Sequence, residues 1–341
     1  MSGLNHADAG TGLQDTGLPG PEVPLGPSRA APTNSESSDP TRTVRVTDEQ
    51  LALLQAECAL GGWDAVHESL SQIRGGNPRT ERDVQEELDR VEALCEAALG
   101  DYEVPCWDYN VPPGFVLSIV IPVFNEHETI KAIVARVRSL PIATQIIVVD
   151  DASRDGTTQV LRRLELLPNV EVVFKTVNEG KGAALRTGFE RARGDVVAVQ
   201  DADLEYDPRD LLRLLEPILA NQCDVVYGSR FAESGAVGSS SVHRVGNQAL
   251  TWLSNAVTGL KLTDMETCYK VFRRELLQEM RLHQNRFGFE PEFTAKLARQ
   301  GARFQELPVT YAARDWDEGK KIGIRDGINA IYCILRYAWR D

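Results

Sequence analysis

Two carboxylates spaced two residues apart, Asp201 and Asp203, follow the apolar run Val196-Val197-Ala198-Val199. Four apolar residues after Gly194-Asp195 predict a short strand buried on both faces. Side chains at i and i+2 leave an extended strand on the same side, so both carboxylates converge at its carboxyl end. Open α/β sheets take their ligands at that end. Like charges held so close repel, and a divalent cation relieves the repulsion; hard oxygen ligands favour Mg2+ or Mn2+, which keep positions open for phosphate oxygens. The competing reading is an acidic loop that caps the next helix, since Asp207-Pro208 is itself a helix start.

The flanking segments must position this pair. Residues 117–124 form an apolar run that ends at Asn125-Glu126, followed by a helix pattern through Leu140. Residues 145–151 predict a second strand ending in Asp150-Asp151, and then a helix to about Leu166. Residues 170–175 predict a third strand. The loop 178–182 and a helix over 183–193 lead back to the Asp-x-Asp strand. Strands alternating with helices predict a mostly parallel, doubly wound sheet. Each strand ends in polar residues, and in a parallel sheet those ends share one rim, which predicts one ligand cleft. Neither Gly-rich loop fits a dinucleotide fingerprint or a Walker A loop. Gly180-Lys181-Gly182 offers either amides and a lysine to a phosphate or a simple helix start.

Four ordered motifs carry a resemblance: Pro122-Val123-Phe124-Asn125-Glu126, Val148-Val149-Asp150-Asp151-Ala152-Ser153, Asn178-Glu179-Gly180-Lys181-Gly182 and Gln200-Asp201-Ala202-Asp203. Over residues 115–325 the chain resembles the family 2 glycosyltransferases of GT-A fold, in particular the polyprenyl-phosphate sugar synthases of dolichyl-phosphate mannose synthase type. The resemblance implies that Pro122, Val123, Glu126 and Asp151 hold the nucleoside of a nucleoside-diphosphate sugar, with Glu126 on the ribose hydroxyls. It implies that Asp201 and Asp203 bind Mg2+ or Mn2+ bridging the diphosphate, with Lys181 on the nucleotide side. A carboxylate can accept both ribose hydroxyls, and a cation must neutralise a leaving diphosphate.

Beyond residue 223, a strand over 224–231 delivers Ser229 and Arg230 toward the same cleft, suited to an anionic oxygen. A Gly/Ser-rich loop then leads to His243 and Arg244 at the head of a helix. The resemblance makes Arg244 a second anion-binding candidate and Asp264 an acceptor-side carboxylate; a surface ion pair is the plain alternative for either arginine. Residues 265–270 depart from the mannose-synthase pattern, and a QxxRW motif of processive synthases is absent. Arg314, Lys320 and Lys321 resemble a basic tail that clamps phosphates, with a solvated charge cluster as the alternative. The catalytic set expected is Asp203, Asp264 and Arg230. A polyprenyl phosphate acceptor is already an anion and requires no general base. A hydroxyl acceptor does, and Asp264 or Glu290 would supply it. The rival readings are a nucleotidyltransferase and a non-catalytic nucleotide-sugar-binding module.

The whole chain bounds these readings. A hydrophobic fraction of 42% supports a large core, and a net charge of −13, from 37 basic and 50 acidic residues, argues against coating nucleic acid. Six cysteines without a CxxC spacing predict reduced thiols in a cytoplasmic protein. Residues 1–44 have the composition of a disordered tail. Residues 45–113 predict a helical appendage (47–60, 63–73 and 80–99) with a linker, which packs on the main domain or serves oligomerisation or partner binding. The GT-A domain is expected over 114–325. An amphipathic helix over 322–341 packs on that domain, and its apolar stripe also fits a peripheral membrane contact.

Overall fold

The computed structural model describes residues 81–103, 106–232, 241–313 and 324–339. The expected tail, the helices over 47–60 and 63–73, and the basic residues Arg314, Lys320 and Lys321 lie outside the described residues. The first described element is helix α1 (Glu81–Leu99). The chain continues through β1 (Leu117–Val123), α2 (Ile130–Arg138), β2 (Thr144–Asp150), α3 (Thr157–Leu164), β3 (Val170–Phe174) and α4 (Lys181–Arg191). Next come β4 (Val196–Val199), α5 (Asp210–Leu219), β5 (Val225–Ser229) and α6 (Ser241–Thr258). The last are β6 (Lys270–Arg273), α7 (Phe289–Arg299), β7 (Phe304–Pro308) and α8 (Ile324–Trp339).

Seven strands form one sheet in the order β3-β2-β1-β4-β6-β5-β7. All pairings are parallel except those of β6, which runs antiparallel to β4 and β5. Every residue of β1 and β4 is buried, as continuous apolar runs in a covered parallel sheet require. The sequence gives little sign of β6 and β7. They are four and five residues long, and β6 carries Lys270 and Arg273 at its ends. The reversal of β6 has a consequence for function. Ala198 pairs with Val271, so β6 begins where β4 ends, and residues 263–269 arrive at the rim that carries Asp201.

Two helices start later or earlier than their patterns suggest. The carbonyl of Glu126 accepts the amides of Thr129 and Ile130, a turn that delays α2. Helix α4 begins at Lys181 itself, not after it. Helix α1 packs on α2, with Val91 and Cys95 buried in the main core. The segment after α1 is anchored as well. Tyr102 donates to Asp207 at 2.8 Å between the guanidiniums of Arg136 and Arg209, and Trp107 donates to Glu216 at 2.9 Å.

Candidate active site

The rim is built at the carboxyl ends of β1, β2, β4 and β5, together with the start of β6 and the amino ends of α4 and α7. Pro122 and Val123 are buried in β1, where the Val123 carbonyl accepts the Asp151 amide at 2.8 Å. Glu126 is buried; its carboxylate accepts the Thr129 hydroxyl at 2.9 Å, and its amide donates to Thr157. Asp151 organises the next turn. Its carboxylate accepts the amides of Glu179 and Gly180 at 3.0 and 2.6 Å and lies 3.2 Å from the Lys175 ammonium. Asn125 and Ala152 follow these strand ends with φ of 56° and 62°. Such angles cost a side-chain-bearing residue energy, and they cluster where chains are bent to present groups.

Lys181 reaches across the cleft. Its ammonium is 2.9 Å from Asp201 and 3.5 Å from Glu290. Burial opposes this charge, but Asp201, Cys268 and Glu290 outweigh it and hold the ammonium well above the usual lysine range. The two flanking glycines serve packing. Gly180 has φ 102°, and a Cβ there would lie 2.5 Å from the Asn285 carbonyl, while one at Gly182 would collide with the Gln284 carbonyl. Their absence of side chains lets residues 284–286 cross the start of α4, where Asn285 accepts the Ala183 amide and Arg186 binds Gln284 and Asn285. That crossing strap leads directly into α7 and brings Glu290 to Lys181. Below it, Phe293 stacks on Phe289 at 5.2 Å and meets Phe272 of β6 edge-on at 4.9 Å, fixing α7 on the sheet.

Behind the Asp-x-Asp pair, Tyr269 donates to Gln200 at 2.6 Å, and Gln200 donates to the Asp201 carbonyl. Asp203 is buried and accepts the Glu205 amide at 3.3 Å. Among the described residues no three His, Cys, Asp or Glu side chains gather to hold a metal ion. Two protein carboxylates, with phosphate oxygens and water completing the shell, are nevertheless a set that Mg2+ commonly accepts. Asp201 and Asp203 therefore fit such an ion, and Lys181 beside Asp201 shows that this carboxylate is balanced by a cation.

On the other side Arg230 forms a two-pronged bond with Asp264. Nε and Nη2 donate to the two carboxylate oxygens at 2.7 and 2.8 Å, and the Arg230 amide adds a third bond. Asn247 donates to the same carboxylate at 2.9 Å. Asp264 is fully buried. Burial works against its charge, yet the guanidinium and the bonds from Arg230 and Asn247 prevail and keep its carboxyl below the usual range. It is thus a carboxylate committed to an arginine. Arg230 and the exposed Arg244 both lie against the Phe231 ring, at 5.4 and 5.6 Å, which brings the two expected anion-binding arginines together. Lys175, Asn247, Glu266 and Lys270 join the site without having been singled out in the sequence. Lys175 and Asn247 pair with Asp151 and Asp264, distant in the chain, for which no local pattern exists.

A family model for glycosyl transferase family 2 matches residues 118–281. The chain is 33% identical to the undecaprenyl-phosphate mannosyltransferase of Micrococcus luteus, over 60% of this chain and 86% of that protein. It is 31% identical to the polyprenol monophosphomannose synthase of Mycolicibacterium smegmatis, over 63% of this chain and 84% of that protein. Among solved structures, glucosyl-3-phosphoglycerate synthase from Mycobacterium tuberculosis in complex with uridine diphosphate superposes with a TM-score of 0.52 at 19% identity. The match covers 72% of this chain and 84% of that one, a likeness of fold.

Proposed function

The chain belongs to glycosyl transferase family 2, and we propose that it is an inverting, metal-dependent enzyme that moves a hexose from a nucleoside-diphosphate sugar to a polyprenyl phosphate. Pro122, Val123, Glu126 and Asp151 would seat the nucleoside. Asp201 and Asp203 would hold Mg2+ or Mn2+, which supplies charge neutralisation to the leaving diphosphate. Lys181 stands beside them as a second positive group. An oxygen of the acceptor phosphate bonds to the anomeric carbon as the bond from that carbon to the donor diphosphate breaks. The nucleoside diphosphate departs with the electron pair, and no proton has to be removed.

The observation that carries this reading is the commitment of Asp264 to Arg230. A carboxylate held charged in a buried ion pair is a poor general base, whereas a phosphate nucleophile needs none and does need cations. Arg230 and Arg244 supply them, and the basic residues Arg314, Lys320 and Lys321, outside the described residues, are expected to add to them. The relatives named for transfer to undecaprenyl phosphate and polyprenol phosphate support the same acceptor class.

A peripheral membrane contact belongs to the same proposal. Among the described residues no helix is long and apolar enough to cross a membrane. Helix α8, packed on α6 and α7, exposes Ile328, Ile331, Leu335 and Trp339, and α6 exposes Trp252. Aromatic and aliphatic residues on such a face suit the headgroup boundary, where a lipid phosphate lies. The direct test offers UDP-, GDP- and dTDP-sugars with Mn2+ and a short polyprenyl phosphate, and reads the anomeric configuration of the product by NMR. Inversion is expected. Retention, or full turnover in excess EDTA, would overturn the mechanism.

A further inference from the structure

After β7 the chain crosses the rim from Ser229 to the turn that follows Asp203. The Val309 amide donates to the Ser229 carbonyl at 3.0 Å, the Thr310 amide to the Asp210 carboxylate at 2.6 Å, and the Ala312 amide to the Glu205 carbonyl at 2.8 Å. Tyr311 stands in the middle of this crossing and forms an isolated antiparallel bridge with Tyr206. Its ring meets the buried Tyr206 ring at 5.1 Å in a T-shaped contact, and Tyr206 packs in turn on Tyr269 at 4.6 Å.

The Tyr311 side chain touches both halves of the site. Its ring centre lies 5.4 Å from the Arg230 guanidinium, and the Phe231 ring lies at the same distance from that guanidinium. Aromatic faces attract a cation without neutralising it, so they fix its place and leave its charge for a ligand. At the other end, the Tyr311 hydroxyl donates to the Glu205 carboxylate at 3.1 Å, and the Glu205 amide donates to the Asp203 carboxylate at 3.3 Å. Burial, and then the charge of Glu205, push this hydroxyl up to about 12, so it stays a donor well above neutral pH.

We propose that Tyr311 is a positioning residue with two separable duties: its hydroxyl sets the Glu205 turn that presents Asp203 to the divalent ion, and its ring sets Arg230 for the acceptor phosphate. The proposal rests on the function given above. Tyr311→Phe removes the first duty and keeps the second.

Binding measured without turnover separates the two. The full chain is titrated calorimetrically with UDP, GDP and dTDP, each in Mn2+ and in EDTA. For the nucleotide that binds, the ratio of the two affinities measures the contribution of the metal. A short polyprenyl phosphate is titrated separately, with Mn2+ and that nucleotide present. Tyr311→Phe should lower the metal ratio about three- to tenfold, the order of one hydrogen bond's net contribution, and leave acceptor affinity within about twofold. Tyr311→Leu, which removes ring and hydroxyl together, should lower both by about three- to tenfold. Glu205→Ala should reproduce the metal loss, and adding Tyr311→Phe to it should cost nothing more, because the two side chains act through one bond. Equal metal ratios in wild type and Tyr311→Phe would overturn the proposal. A parallel fall of both affinities in that variant, or fully additive losses in the double variant, would overturn it too, since both mark a general loss of packing. Wild type with no gain from Mn2+ for any nucleotide would instead overturn the function on which the proposal rests.

Discussion

The ammonium of Lys181 stands 2.9 Å from Asp201, at the carboxylate pair that the sequence marks for a divalent ion. A charge on the chain thus does part of what a bound cation would do. Lys181→Met removes that counter-charge from a carboxylate whose side chain is only 14% exposed. Breaking a fully buried pair costs about 3–5 kcal/mol, and partial solvent access reduces this to about 1–2 kcal/mol. In EDTA the variant should melt a few degrees below wild type, and Mn2+ should then raise its melting temperature more than it raises that of wild type. An equal metal response in the two proteins would show that Lys181 and the ion do not share Asp201.

Arg230 and Asp264 are expected to differ in their effect on transfer. Arg230→Ala removes a charged donor from the proposed acceptor side, and charge-assisted bonds contribute about 1.5–3 kcal/mol each, or roughly 10- to 100-fold in rate. Asp264→Asn keeps an oxygen for the guanidinium and loses only its charge, so it should cost less. Loss of a general base would reverse this order, with a fall of about 10²–10⁴ for Asp264→Asn. Turnover of both variants with a short polyprenyl phosphate decides between the two orders.

Much of this site is legible in the sequence, and the reasons are physical. Strands β1, β2 and β4 are buried on both faces and therefore read as unbroken apolar runs, and a polar residue at the end of such a run marks the rim. Asp150, Asp151, Asp201 and Asp203 are found in this way. The Arg230–Asp264 fork is not, because ion pairing across 34 residues leaves no local pattern. Strand β6 escapes for another reason: four residues with a charge at each end give no periodicity to detect. Without β6 no local pattern brings residues 263–269 to the rim, and only the family resemblance points Asp264 there. The glycines at 180 and 182 are visible, but their use in admitting the 284–286 strap depends on a contact that only the fold reveals.

The raised Glu266 carboxyl predicts a pH dependence with a definite sign. The folded chain keeps this proton up to about 8, while the unfolded chain releases it near the ordinary 4.5. Unfolding therefore releases a proton between those values, and the contribution of this group to stability falls as pH rises through the window, then levels off. Glu266→Gln removes that slope. Denaturant midpoints measured at about pH 5 and about pH 8 should show the variant gaining on wild type at the higher pH. A constant difference would mean that Glu266 is ionised throughout.

The exposed face of α8 predicts lipid attachment. Trp339 and Ile328 are 77% and 64% exposed, and Trp252 of α6 is 71% exposed. Replacing Trp252 and Trp339 with serine should reduce cosedimentation with phosphatidylglycerol-containing vesicles several-fold and leave the melting temperature within about a degree, since exposed substitutions rarely move stability by more than about 0.5 kcal/mol. Unchanged sedimentation would assign this face to something other than a bilayer.

The most direct measurement is a matched acceptor pair: one short polyprenol offered as its phosphate and as its free alcohol, with the same donor, metal and enzyme. The two differ only in the group that attacks. On the proposed reading, with Arg230 and Arg244 together on the Phe231 ring and Asp264 engaged by Arg230, transfer to the phosphate and none to the alcohol is expected. Glycosylation of the alcohol or of a hydroxylated small molecule, with the phosphate left untouched, would contradict the assignment.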